Sequence, residues 1–305
     1  MTDRPVAVSV IIPSYNARAT ISDCLASLVS QKTSFGFEIV LFDSSADGTD
    51  EIISRDFPSV RLIHAAQRTL AGDARNAAIQ ASRGSILCFI DTDCIASDGW
   101  LEGLVAQIDA IADTGAVCGG VRPANPGALL GHALFLLEFR PFHHSMPPRA
   151  LGTFVTCNVA MRREVFEKYG PFPQGIWPAE DAILAERLRS AGERIVFHPR
   201  CVVAHINRVR WAEVLRHAHR LGHTTALALR FCDTFPNRWW LDYAWLLALA
   251  APPIMPLRVV VELGARSLTG FLTSSFLLPL TFINYLAWSA GFLSGARGSA
   301  HSRAR

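Results

Sequence analysis

Lysine is almost missing from this 305-residue chain: Lys32 and Lys168 are the only two, so 27 of its 29 cations are arginine. Against 26 acids the net charge is +3, too small to imply a nucleic acid or another polyanionic polymer as partner. Only 18% of residues are charged and 50% are apolar, which excludes a disordered or collagen-like chain. Cysteine forms no pattern. The seven present are an odd number with no Cys-x-x-Cys, and Cys88 and Cys201 sit inside apolar runs. Buried, reduced thiols in a cytosolic compartment are therefore expected rather than a disulfide framework or a zinc site. No Gly-x-Gly-x-x-Gly follows the first apolar run, and neither lysine follows a glycine. A nicotinamide-dependent dehydrogenase and a P-loop nucleotidase are excluded on that ground. The opening MTDRPVAVSVII lacks the basic stretch and cleavage site of a signal peptide, so the part of the chain that follows it is expected on the cytosolic side.

What the chain does have is a regular alternation. Val6–Ile12, Glu38–Phe42, Val60–His64, Ser85–Ile90 and Ala116–Val121 are apolar runs rich in β-branched residues. Between them, Thr20–Ser30, Asp50–Arg55, Asp73–Ser82 and Gly99–Ala112 carry helical spacing. Strands without polar alternation, separated by helices, predict an α/β, doubly wound, mostly parallel sheet covered on both faces. Thr153–Arg163 reads as a strand leading into a helix, Glu180–Ala191 as an amphipathic helix with an acidic start, and 194–197 and 202–205 as two short strands. Asn125–Pro148 reads as a loop around a short helix.

Polar clusters follow three of the strands: Pro13-Ser14-Tyr15-Asn16, Asp43-Ser44-Ser45 and Asp91-Thr92-Asp93. Ligands of open α/β sheets bind beyond the carboxyl ends of the strands, where the strand order reverses, so these clusters mark a site. Two carboxylates spaced as Asp91-x-Asp93 suit a hard divalent cation, Mg²⁺ or Mn²⁺, that keeps positions open for phosphate oxygens.

Taken in order, VSVIIPSYNA, EIVLFDSSADGT, GDARNAAIQASRG, ILCFIDTDC and AEDAILAERLRSAG resemble the family 2 glycosyltransferases of the GT-A fold, over about Val6 to His205. The resemblance implies that Pro13, Tyr15 and Asp43 line the base and ribose of a nucleoside-diphosphate sugar. Arg75 would lie near the base or diphosphate, Asp91 would contact the nucleotide, and Asp93 would hold the metal. His205 would add a metal or diphosphate ligand, with a buried hydrogen-bonded histidine as the alternative. Asp181 would be the general base supported by Glu180, with plain helix capping as the alternative for both. A helix N-terminus lowers a carboxylate's pKa, so burial or Glu180 must offset that if Asp181 is to be a strong base. The implied reaction is inverting transfer to an acceptor hydroxyl. The Gln-x-x-Arg-Trp element of processive relatives is missing; Arg210-Trp211 has no such glutamine. One or a few sugars per acceptor are therefore expected. A catalytically inactive, membrane-bound nucleotide-sugar-binding scaffold of the same fold is the alternative reading.

From residue 239 the composition changes. Trp239–Leu293 contains four charges, and Ser267–Ala296 is uncharged throughout, long enough to cross a bilayer. Tyr243–Leu257, interrupted by Pro252, Pro253 and Pro256, is marginal for a span. Trp239, Trp240, Tyr243, Trp245, Tyr285 and Trp288 are spaced like interfacial anchors, and Arg297, Arg303 and Arg305 favour the cytosolic side. The expected organisation is a catalytic domain at 1–210, an amphipathic connecting helix at 211–238 and a hydrophobic, membrane-associated helical region with a basic tail at 239–305. The expected setting is the cytoplasmic face of the cell membrane, with a glycan or lipid-linked acceptor.

Overall fold

The computed structural model describes residues 6–111, 113–176, 179–231 and 238–297. They fall into two compact units, one from Met1–Ala124 with Phe142–Ile206, the other from Asn125–Pro141 with Asn207–Arg305.

The first unit alternates strand and helix: β1 (Val6–Ser14), α1 (Ile21–Val29), β2 (Gly36–Asp43), α2 (Thr49–Asp56), β3 (Arg61–His64), α3 (Ala71–Ala81) and β4 (Ile86–Ile90). Next come β5 (Cys94–Ala96), α4 (Trp100–Ala110) and β6 (Thr114–Pro123). Helix α5 (Leu129–Glu138) departs into the second unit. The chain then returns as β7 (Arg149–Leu151), β8 (Asn158–Arg162), α6 (Arg163–Tyr169), α7 (Glu180–Ser190) and β9 (Arg194–His205).

The sheet order is β3-β2-β1-β4-β8-β6-β9-β5, with β7 also on β9. The β1–β2, β1–β4, β2–β3 and β6–β9 pairs are parallel, as expected for the doubly wound half. Strand β8 runs antiparallel between β4 and β6, and β5 and β7 run antiparallel on β9. Periodicity reports burial and not direction, which is why the mixed character was not visible in the sequence. All five residues of β4 are buried. The two short strands expected near the end of the first unit are one, β9, whose register against β6 slips between Gly119 and Gly120. Asn158 holds that irregularity: its Nδ2 donates to the carbonyls of Gly120 and Cys201, and its Oδ1 accepts from Trp100 Nε1 at 2.9 Å. The six described cysteines are free and buried, and Cys232 lies outside the described residues.

The second unit consists of α5, α8 (Trp211–Phe231), α9 (Ala244–Gly264), α10 (Leu268–Phe276) and α11 (Leu278–Arg297), plus a short 3₁₀ turn at Arg238–Leu241. This corrects the expected boundary at residue 210. Apolar α5 packs with α8 and α11, because its near-continuous apolar surface needs helices around it. Nor is α8 a connector, since it forms a core with α11. A Cβ on Gly222 would collide with the Trp288 carbonyl, and one on Gly291 with the His219 carbonyl, so the two helices approach backbone to backbone. Two ion pairs join segments of this unit: Arg140 to Glu262 at 2.6 Å, and His217 Nε2 to Glu138 at 3.0 Å.

The apolar run 267–296 is not one straight helix. It breaks at Leu277 into α10 and α11, which meet at 61°. Together α10 and α11 have the length and apolarity of a broken span or a re-entrant loop. Among the described residues the single helix long and apolar enough to cross a membrane is α9, with a mean hydropathy of 1.7 and continuous through all three prolines. Each proline removes one backbone donor, yet packing of Ala248, Ala251, Pro252, Pro256 and Val259 on one side preserves the helix. Its other side exposes Leu249 and Val261, both 70% accessible. The stretch 232–237, Pro178 and the tail residues Arg303 and Arg305 lie outside the described residues.

Candidate active site

Strand order reverses between β1 and β4, and the carboxyl ends of β1, β2 and β4 carry the polar clusters. Parallel register sets Ser14 beside Asp43 and Asp43 beside His64. Asp43 is fully buried. Its carboxylate accepts from Ser14 Oγ and Ser45 Oγ, both at 2.6 Å, and from the Ser45 amide at 3.1 Å, and it lies 3.0 Å from His64 Nδ1. Pro13 is half-buried at the end of β1, next to Tyr15, which is 45% exposed and lies under the Arg68 guanidinium, 4.7 Å from the ring centre. Asn16 follows at φ +51°, a left-handed turn that asparagine tolerates, and its amide donates to Ser45 Oγ at 2.7 Å. His64 and Arg68 were not singled out from the sequence, whereas Ser45 belongs to the polar cluster that was. The place of His64 at the end of the third strand was the available signal, since parallel pairing aligns strand ends.

The second cluster centres on Arg75, whose side chain is 4% exposed on α3. One terminal nitrogen donates to Asp91 Oδ1 at 2.7 Å, the other to Glu180 Oε1 at 2.9 Å. Burial works against its charge, but the carboxylates of Asp91 and Glu180 outweigh that and raise its pKa. Asp91 is pushed up by burial and further by Asp93, with Arg75 pulling it back. Glu180, 5% exposed, opens α7, and Asp181 follows it. Asp181 is raised to about 7, first by burial and then by the like charge of Glu180, against the opposing pull of Arg75 and the Ala182 amide. The offset required of burial and Glu180 is thus present.

The third cluster lies where β5 meets the end of β9. Register pairs Cys94 with His205, and the Ile206 amide donates to the Asp93 carbonyl at 2.8 Å. His205 Nε2 lies 3.5 Å from Asp93 Oδ2; the imidazole is buried and the carboxylate is one-third exposed. Ligand atoms of Asp93, Cys94 and His205 fall within 4.8 Å of one another. A carboxylate oxygen and an imidazole nitrogen converging at an open rim fit a divalent cation of the Mg²⁺ or Mn²⁺ kind. Cys94 fits less well, because burial pushes its thiol far above the range in which a thiolate forms.

The mixed sheet with its polar carboxyl rim defines the molecule as an α/β protein of the GT-A type. The family model described as glycosyl transferase family 2 matches residues 9–170. The chain belongs to that family and is a glycosyltransferase of the nucleotide-sugar-dependent class. It is similar to glycosyltransferase AglE of Haloferax volcanii, 30% identical over 230 residues, covering 73% of this chain and 74% of that protein. Similarity to the succinoglycan biosynthesis protein ExoO of Rhizobium meliloti is 26% over 256 residues, covering 79% and 71%. In fold it resembles the mannosyltransferase PcManGT from Pyrobaculum calidifontis in complex with GDP-Man and Mn²⁺. The TM-score is 0.64 at 23% identity, over 97% of this chain and 89% of that one.

Proposed function

We propose that the protein is an inverting, metal-dependent, non-processive glycosyltransferase that moves a sugar from a nucleoside-diphosphate donor to an acceptor hydroxyl. One observation carries the reading: the rim separates its carboxylates into Asp93 beside His205, suited to a cation, and Asp181 beside Glu180, held near neutrality for accepting a proton. In this scheme Pro13, Tyr15 and Asp43 form the base and ribose subsite, with Asp43 tying its floor together through Ser14, Ser45 and His64. Asp91 lies towards the nucleotide. Asp93 and His205 would hold Mg²⁺ or Mn²⁺, which when bound neutralises charge on the departing diphosphate. Complexes of PcManGT with GDP-Man and Mn²⁺ and of GalNAc-T7 with UDP, GalNAc and Mn²⁺ support that choice of donor class and ion.

Asp181 takes the proton from the acceptor hydroxyl as its oxygen attacks the anomeric carbon; the carbon–diphosphate oxygen bond breaks, and its electrons leave with the diphosphate. Attack from the face opposite the leaving group inverts the anomeric centre. A base with a pKa near 7 is half ionised at neutral pH and still basic enough to assist. The apolar outer face of α9 and the broken α10–α11 pair support attachment to the cytoplasmic face of a membrane. With the succinoglycan biosynthesis protein ExoO among the relatives, this favours a cell-envelope or lipid-linked glycan as acceptor.

A thermal-shift panel of UDP, GDP and their sugars, with and without Mn²⁺, tests the reading. The expected result is stabilisation by one base family that is enhanced by the ion. No shift with any nucleotide, or shifts indifferent to Mn²⁺, overturns the metal-dependent donor site. Binding without turnover across an acceptor panel would favour the inactive scaffold.

A further inference from the structure

Helix α3 grips the segment that leads into α7 at three points. Asn76 Nδ2 donates to the Phe172 carbonyl at 2.8 Å, and its Oδ1 accepts from the Phe172 amide at 3.0 Å. Gly72 packs so closely on Glu180 that a Cβ there would stand 3.1 Å from Glu180 Cγ. Arg75 donates to Glu180 Oε1, while Glu180 Oε2 accepts from the amide of Ala179 at 3.2 Å. Gly72, Arg75 and Asn76 are spaced i, i+3, i+4, so they share one helical face. The gripped segment ends in a strained residue: Ala179 is buried at φ +124°, a conformation that persists only where neighbours enforce it. The next two residues are Glu180 and Asp181.

The Arg75 guanidinium spends one donor of each terminal nitrogen on a carboxylate of the protein. Both terminal nitrogens face carboxylates, and Nε is buried without a partner. A side chain so occupied is poorly placed to leave for a donor phosphate, because two buried carboxylates would lose their counter-charge. We infer that Arg75 is a positioning residue for transfer: it fixes Glu180, and through Glu180 the strained start of α7, so that Asp181 is held in place as the base. This deepens the proposed function and rests on Asp181 being that base. It replaces a donor-binding role for Arg75 with a role on the base side of the reaction.

The groups facing Asp181 are Glu180 beside it, Arg75 from α3 and Asp91 from the end of β4, with the Ala182 amide on its own helix. Arg75 and Glu180 push its proton affinity in opposite directions, so changing each should move the acid limb of the kcat profile in opposite senses.

The test is kcat and donor dissociation constant for Arg75→Met and Glu180→Gln, measured from about pH 5 to about pH 9 with saturating Mn²⁺. Arg75→Met is expected to lose about 100-fold in kcat, keep its donor dissociation constant within about threefold, and move the acid limb upward. Glu180→Gln is expected to move the limb downward. Loss of donor affinity with kcat preserved in Arg75→Met overturns the inference, as does an acid limb unmoved in both variants. Should Arg75→Met fail to fold, an unmoved limb in Glu180→Gln alone overturns it. Failure of the underlying base assignment shows separately, as Asp181→Asn retaining turnover.

Discussion

The two units of this chain solve opposite problems with the same half-apolar composition. Twenty large apolar side chains are exposed among the described residues, and all but Tyr15 and Val29 belong to the helical unit. Charge divides as sharply. The residues of the helical unit hold twelve arginines, no lysine and five acids, whereas the sheet unit holds 17 cations against 21 acids. A whole-chain charge of +3 therefore conceals an acidic catalytic unit and a basic, outwardly apolar one. An excess of carboxylate in the sheet unit repels a diphosphate unless a cation intervenes, and the excess arginine of the helical unit is what the proposed attachment to an anionic lipid surface would use.

The sharpest break in this contrast is chemical. Asp93→Ala is expected to abolish Mn²⁺-enhanced donor binding and cut transfer by about 10³-fold or more, read by calorimetry and by product formation. Asp181→Asn should lose transfer by about 10²–10⁴-fold while donor binding survives. Next in size, Gly291→Val drives a branched side chain into the His219 carbonyl. It should destabilise the helical unit by about 3 kcal/mol or more, as a lower unfolding midpoint, with nucleotide binding retained. Leu249→Glu with Val261→Glu should lower flotation with anionic vesicles by about tenfold and leave turnover of a water-soluble acceptor unchanged. Retained flotation would remove α9 from the membrane surface.

The smallest expected effect concerns pH and stability. The folded pKa of Asp181, about 7, lies above the ordinary carboxylate value. The folded state therefore holds its proton more tightly than the unfolded chain, and this group's contribution to stability declines as pH rises through that window. Asp181→Asn should raise the unfolding midpoint by a few degrees (about 2–4 °C) near pH 8, with the gain fading as pH falls towards about 4. Wild-type kcat should fall on the acid side of about pH 7 as the base becomes protonated.

Much of this was legible in the residues themselves. A buried strand must be apolar throughout and must end where polar groups resume, so β1, β2, β4 and the clusters at Pro13–Asn16, Asp43–Ser45 and Asp91–Asp93 followed from patterning alone. The acidic opening of α7 was equally plain. Only the tertiary structure could decide strand direction, because an antiparallel β8 is as apolar as its parallel neighbours. It also moved α5 into the helical unit and broke the uncharged run at Leu277, since an absence of charge specifies burial or lipid contact and carries no information about bending. Above all, it assigned Arg75 its two carboxylates. Ion pairs between residues 75, 91 and 180 depend on which helices and strand ends meet in space, and nothing in local sequence encodes that meeting.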